Sequence, residues 1–404
     1  MLKWTIIVLI VGLGAGTLSA LFLTTLNLVT GFRDQHSWII YMLPVAGLCI
    51  GFLYNYKGKN IERGNNLIFD TVHGQGTLIP FKMVPLIFLG TIVTHLFGGS
   101  AGREGTALQM AGATADQLHK PFKLNAGDRS ILLIAGVSAG FASVFGTPWA
   151  GIVFGIEVLL IAKTPVKAIF PSAAAALLGT YVTSLWGVRH THYHIDVILP
   201  FSFNGFMYSL MAGIAFGMAA VLFVKLTAAF SNMFKKISYA PLRPFFGGLI
   251  VILLFLLPGN YKYAGLGIPV ILESFVSAAQ TQDFVMKILF TAVTLGAGFK
   301  GGEVTPLFFI GATLGSSLSM FLPLPVGLLA GMGFVAVFSG ATKTPLACCV
   351  MALELFGISC GIYVLIACVV SYFISGRHSI YNVPENKQPR HFLFGKIGLA
   401  ASSK

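Results

Sequence analysis

The chain has little charge. Of its 404 residues only 10% are Asp, Glu, Lys or Arg, and only 13 are acidic, against about a quarter charged in a soluble domain. That scarcity excludes an ordinary water-facing surface. With 56% hydrophobic residues and a mean hydropathy of +0.84, it predicts a polytopic, all-α membrane protein in contact with the lipid bilayer. Cysteine is scarce too. Cys49, Cys348, Cys349, Cys360 and Cys368 lie within apolar runs and form no CxxC pair, so they read as small packing residues rather than disulfides or metal ligands. There is no Ser/His pair, HExxH or paired-aspartate signature, which argues against an intramembrane enzyme. No dense basic stripe is present either. The net charge of +13, from 26 basic and 13 acidic residues, is scattered over short loops and the tail. This speaks against nucleic acid and for positive-inside bias, attraction to anionic lipid and an electropositive route for anions.

Runs of full membrane length are few. Met1–Thr30 is about twice the length of a signal-peptide core, so a first membrane segment is expected and not a cleaved leader. Other runs, such as Met83–Phe97, Ile131–Phe145, Pro148–Ala162 and Pro345–Gly357, stop at glycine or proline well before the ~20 residues a perpendicular crossing needs. They predict partial spans and helices broken at mid-depth. The chain's 47 glycines permit the close packing and non-helical backbone this requires. The stretch from Lys225 to Phe245 reads as a basic loop, and the tail from Arg377 to Lys404 as cytoplasmic.

An internal repeat organises these pieces. GREGTALQMAGAT (102–114) and GGEVTPLFFIGAT (301–313) share seven of thirteen positions. TPWAGIVFGIE (147–157) matches TPLACCVMALE (344–354) at Thr-Pro, Ala and Glu, and GNNLI (64–68) precedes GLGIP (265–269) by 201 residues. The expected division is residues 1–200 and 201–375 as two membrane repeats, with 376–404 as a short tail. Two homologous membrane halves form a transporter architecture in which broken helices meet near the midplane.

The repeat duplicates a carboxylate. Glu104 and Glu303 each stand where a glycine turn leads into a predicted helix, Thr106–Gln117 and Pro306–Leu318. A carboxylate is costly inside a membrane, and Arg103 beside Glu104 does not face it on a helix. The free N–H groups of such a helix start, with the positive end of the dipole, form an anion site. Gly102, Arg103 and Gly105 on one turn and Val304 on the other are its expected lining. A deprotonated Glu occupies this site as a tethered anion. Once protonated it is neutral and leaves, admitting a free anion, so anion occupancy becomes coupled to proton binding. Glu157 and Glu354, nine residues after each repeated Pro, read equally as a proton path or as polar groups between helices. The histidines of RHTHYH (189–194) read as an aqueous loop, with a metal site as the other reading. A proton- or sodium-coupled cation carrier is the rival from another class, since membrane carboxylates often serve cations. The helix-start placement of the glutamates favours anions instead.

Together these motifs resemble the CLC family of anion channels and anion/proton exchangers. GREGT is similar to its GREGP motif, GGEVTP to GxFxP, GNNLI to GSGIP, and TPWAGIVFGIE to its NAPLAG-like helix start, in the family's order and spacing. The resemblance implies a homodimer with one pathway per subunit, inverted repeats of tilted and broken helices, and no cofactor. It makes Glu104 the gating glutamate, and it makes Tyr381, otherwise read as an interfacial tyrosine, the hydroxyl at the central anion site. Asn65 replaces the serine of GSGIP and Ile68 its proline. Thr106 replaces the proline of GREGP, Glu303 an apolar residue of GxFxP, and Val158 an inner proton-handling glutamate. These departures resemble the fluoride-exporting branch. Fluoride is small and strongly hydrated, so its dehydration calls for close donors: the Asn65 amide, the Thr305 and Tyr381 hydroxyls, and a protonated Glu303. The expectation is fluoride/proton antiport out of the cell across a bacterial plasma membrane. A chloride/proton exchanger or chloride channel is the alternative within the family.

Overall fold

A computed structural model describes residues 2–73, 78–159, 165–200, 202–257 and 259–381. Its helices fall into two series. The first comprises α1 (Leu2–Gln35), α2 (Leu43–Lys57), α3 (Asn65–Val72), α4 (Met83–Leu96), α5 (Glu104–Asp116), α6 (Ala126–Phe145), α7 (Pro148–Val158) and α8 (Pro165–Leu185). The second comprises α9 (Phe203–Lys235), α10 (Leu242–Phe255), α11 (Ile268–Ser274), α12 (Asp283–Gly296), α13 (Val304–Leu318), α14 (Val326–Thr342), α15 (Pro345–Phe356) and α16 (Gly361–Ile374). The described residues contain no β-strand, only one isolated bridge, Gly102 to Gly302. The protein is a polytopic helical membrane protein.

The two series correspond helix by helix in order. At 34 and 33 residues, α1 and α9 are each about 50 Å long, well beyond the ~30 Å of hydrocarbon, and so must tilt. At 14 residues each, α4 and α12 cover only part of the bilayer. Where an apolar run meets a Gly-rich turn, as after Leu96 and Gly296, the helix stops inside the protein.

Two expectations are corrected. Ile131–Phe145 is not a short span but the end of the 20-residue α6, which begins at Ala126 under an Asn125 cap whose Oδ1 accepts from the Asp128 amide at 2.8 Å. Lys225–Lys235 is the last part of α9 rather than a loop, because its apolar residues continue the helix and the turn comes only after Lys235. Residues 160–162 of the run from Pro148, and 382–404 of the tail, lie outside the described residues.

Both the core and much of the surface are apolar. Leu9, Leu13 and Leu21 on α1, Phe170 on α8 and Met218 on α9 are exposed, as a lipid-facing surface requires. Between helices small residues dominate. Gly16 of α1 lies so close to α8 that a Cβ there would sit 2.5 Å from the Gly179 carbonyl. The centre is aromatic and crosses between the series: Phe308 of α13 stacks on Phe334 of α14 at 3.9 Å and lies 5.3 Å from Phe145 of α6.

Candidate anion and proton site

The starts of α5 and α13 meet head to head. Gly102 donates its N–H to Gly302 O at 2.6 Å, and Gly302 donates to Gly102 O at 2.7 Å. This closeness requires glycine: a Cβ on Gly302 would lie 2.7 Å from the Gly105 nitrogen. Two helix N-termini, each with unpaired N–H groups and partial positive charge, therefore share one point inside the protein. Both helices begin earlier than the sequence suggests, at Glu104 and Val304, which puts each glutamate at the helix start itself.

Glu104 crosses to the opposite helix. It is 1% exposed. Its Oε2 accepts from the Thr305 amide at 3.1 Å and from the Arg103 amide at 3.1 Å, and its Oε1 accepts from the Thr305 hydroxyl. Arg103 Nε lies 3.6 Å from Oε1. The carboxylate thus takes the donors at the start of α13 that would hold an anion. Glu303 caps α13 without a side-chain capping bond. It points back toward α5, its Oε2 3.8 Å from where a Cβ on Gly105 would be, and the Asn65 amide nitrogen lies 3.2 Å from that same point.

Asn65, Glu303 and Tyr381 line one cavity of about 160 Å³ with Gln109, Lys300 and Arg63. Asn65 Oδ1 is buried and has no protein partner. Tyr381 is 4% exposed, with its ring 4.7 Å from that of Phe69. On the other side of the bridge, Arg103, Glu104 and Thr305 face a small pocket of about 10 Å³ with Thr191 and Tyr193. Glu104 stands on that side and Glu303 on the cavity side. Val304 is buried at the start of α13. The Gly102 amide serves the Gly302 bridge and the Arg103 amide the Glu104 carboxylate. Thr106 places its hydroxyl 2.7 Å from that of Thr91.

Sequence reading passed over Gln109 and Lys300. Gln109 lies four residues after Gly105, on the same helix face, and a lone amide in an apolar helix was the available signal. Lys300 holds its ammonium 4.0 Å over the Tyr54 ring, a contact only the fold creates.

The second pair of glutamates has a definite position. Glu157 accepts from the amides of Leu346 and Ala347 at 3.0 and 2.7 Å, and Glu354 from those of Trp149 and Ala150 at 3.0 and 2.7 Å. Each carboxylate, at the end of one helix, caps the start of the other. Hence α7 and α15 run antiparallel, as an inverted duplication demands. Of the two open readings, polar contact between helices is the arrangement present. The described residues hold no cluster of His, Cys, Asp and Glu fit for a metal. His192 and His194 are exposed, while His190 turns inward.

The sequence profile of the voltage gated chloride channel family matches residues 46–376. The chain belongs to that family, the CLC proteins. It is 49% identical over 396 residues to a "Chloride/fluoride channel protein" of Pseudomonas syringae pv. tomato, covering 96% of this chain and 88% of that protein. Its structure is similar to that of a CLC-type fluoride/proton antiporter, with a TM-score of 0.90 and 34% identity, covering 94% of this chain and 96% of the other. A slow cyanobacterial Cl⁻/H⁺ antiporter superposes with a TM-score of 0.83 at 18% identity over 100% and 99% of the two chains, a likeness of fold alone. Within this CLC chain Val158 ends α7 as a buried apolar residue, and the adjacent Glu157 is committed to α15.

Proposed function

We propose that this protein exports fluoride from the bacterial cytoplasm in exchange for protons, as a homodimer in the plasma membrane. The observation that carries the reading is the grip of Glu104 on Thr305. A carboxylate held by an amide and a hydroxyl at a helix start occupies an anion's place. Its protonation removes the charge that those donors favour, and the acid swings out so that fluoride takes the amide and hydroxyl. Deprotonation returns the carboxylate and expels the anion.

Selectivity follows from the donors. The Asn65 amide, the Tyr381 hydroxyl and the acid form of Glu303 supply short hydrogen bonds in one small cavity, and the Thr305 hydroxyl supplies another across the glycine bridge. Fluoride, the strongest acceptor among the halides, gains most from them. Glu303, in the position that faces this cavity, relays the proton inward where Val158 offers no group. The names of the Pseudomonas relative and of the fluoride/proton antiporter support the choice of ion.

Orientation follows from charge. Arg63 lines the Asn65 cavity, with Lys57 and Lys59 shortly before it in the chain, and from this basic cluster we read that side as cytoplasmic. The loop joining α8 to α9 then lies outside.

The test is fluoride efflux from proteoliposomes with simultaneous pH recording, beside the same measurement with chloride. Fluoride efflux accompanied by proton uptake is expected, and Glu104→Gln abolishes proton movement. Coupled exchange that survives in Glu104→Gln removes the glutamate from its role, and equal chloride flux removes the selectivity.

A further inference from the structure

The loop between α8 and α9, residues 186–202, joins the two halves and carries the RHTHYH motif. Its residues 186–200 fold back over the outer side of Glu104. Tyr193 wedges its ring among Phe334, Phe275 and Phe356 at 5.0, 5.5 and 6.4 Å. Thr191 and Tyr193 line the small pocket that holds Glu104 and Arg103. Thr191, with Phe145 and Leu355, also lines a larger outer vestibule of about 540 Å³, together with Gly146, Thr147, Arg189, His190, His192 and Glu354. The two spaces therefore adjoin at Thr191.

His190 is built into this junction. Its Nδ1 lies 3.2 Å from the Val144 carbonyl at the end of α6. A carbonyl only accepts, so Nδ1 carries the hydrogen and Nε2 is left with a free lone pair. Nε2 is buried without a hydrogen-bond partner, and so is Thr147 Oγ1 on the same vestibule. The ring rests on Gly146, the left-handed C-cap of α6 at φ 73°; a Cβ there would meet His190 Cδ2 at 2.5 Å. Polar atoms buried without partners along connected cavities are satisfied by water. Burial and the Arg103 charge hold the imidazole below its ordinary titration range, so at rest it is a neutral base.

We infer that His190 relays protons between the outer solution and Glu104, through water in the vestibule and past Thr191. This rests on the antiport reading above. The step balances: Nε2 takes a proton from a vestibule hydronium, leaving water, and the imidazolium gives it back from Nε2 along the water chain to the Glu104 carboxylate, Nδ1–H staying on the Val144 carbonyl. That yields the carboxylic acid and returns the neutral ring. Arg103, from the turn before α5, disfavours a lasting imidazolium, and Arg189 precedes His190 in the loop. His192 and Glu354 of α15, with Glu104 itself, are the other titratable groups around the vestibule. A relay that does not hold its proton suits a group whose task is transfer.

The experiment is coupled fluoride flux in oriented proteoliposomes carrying His190→Gln, whose amide can still donate to Val144 O but cannot shuttle protons. Relative to wild type, proton-coupled flux falls about tenfold or more at an outer pH of about 8, where hydronium is scarce, and less than about twofold near pH 5. Imidazole in the outer buffer restores the flux of His190→Ala. A loss equal at both pH values, or none, or a failure of imidazole to rescue, overturns the proposal and leaves His190 as a packing group on Gly146. The wild-type arm separates the two readings. Fluoride flux without protons in wild type refutes antiport itself, whereas coupled wild-type flux with pH-independent variants refutes only the relay.

Discussion

Glu104 and Thr305 come from opposite halves of the chain, 201 residues apart, and close on each other through two hydrogen bonds, the amide one at 3.1 Å. The contact joins the start of α5 to the start of α13, so the group proposed to move sits on donors proposed to bind the anion. Thr305→Val removes the hydroxyl and keeps shape and amide. A hydrogen bond to a charged group is worth about 1.5–3 kcal/mol, and the lost donor favours the smaller halide. The fluoride-to-chloride flux ratio in vesicles is expected to fall by about tenfold. An unchanged ratio would take Thr305 out of the anion path.

Gly102 and Gly302 hold the two helix starts together. Gly302→Ala would push a methyl to 2.7 Å from the Gly105 nitrogen, whereas Gly105→Ala meets Gly302 Cα at 3.1 Å and Asn65 Nδ2 at 3.2 Å. Overpacking of this kind costs about 1–3 kcal/mol. Both variants should elute as folded protein in detergent, with fluoride flux lower in Gly302→Ala than in Gly105→Ala. The reverse order would show that the bridge does not set the site.

The crossed caps of Glu157 and Glu354 hold α7 against α15. Glu157→Ala and Glu354→Ala each free two helix-start amides, at about 2 kcal/mol each, read as lower unfolding temperatures in detergent. Because the caps serve one interface, the double variant should lose less than the sum. Glu157→Gln should keep proton coupling. Were coupling lost without a change in unfolding temperature, Glu157 would belong to the proton path.

Lys287 of α12 is fully buried and donates to the carbonyls of Tyr263 and Gly265 at 3.0 and 2.8 Å, with its ammonium 4.9 Å from the Phe309 ring centre. It pins the turn that leads into α11, the counterpart of the turn bearing Asn65. Lys287→Met keeps the volume but leaves two buried carbonyls unpaired, at about 1–3 kcal/mol each. Thermal unfolding should shift down while the fluoride-to-chloride ratio stays as in wild type. A changed ratio with unchanged stability would contradict this purely structural role.

Much of the site was legible because duplication leaves a sequence trace. The same Glu on two glycine turns, at an offset of 199 residues, marked Glu104 and Glu303 before any coordinates. Thr-Pro at 147 and 344 likewise marked the starts of α7 and α15, since proline suits the first helical turn. Less legible were side chains whose meaning depends on a distant partner. Glu157 looked as much like a proton group as a cap until Leu346 and Ala347 were seen in front of it. His190 looked like one of three loop histidines until its ring was found on Gly146.

By itself the sequence determined the membrane class, the helical and broken character of the spans and the twofold repetition, because these are properties of composition and of local glycine and proline chemistry. Only the tertiary structure decided that Glu104 reaches the opposite helix and Glu303 turns to the cavity of Asn65 and Tyr381. It also decided that one histidine of the joining loop is half-buried while the other two face solvent. The reason is physical: a helix start attracts any nearby anion, and which carboxylate arrives is fixed by how the two halves pack, a relation between residues some 200 positions apart that no local pattern encodes.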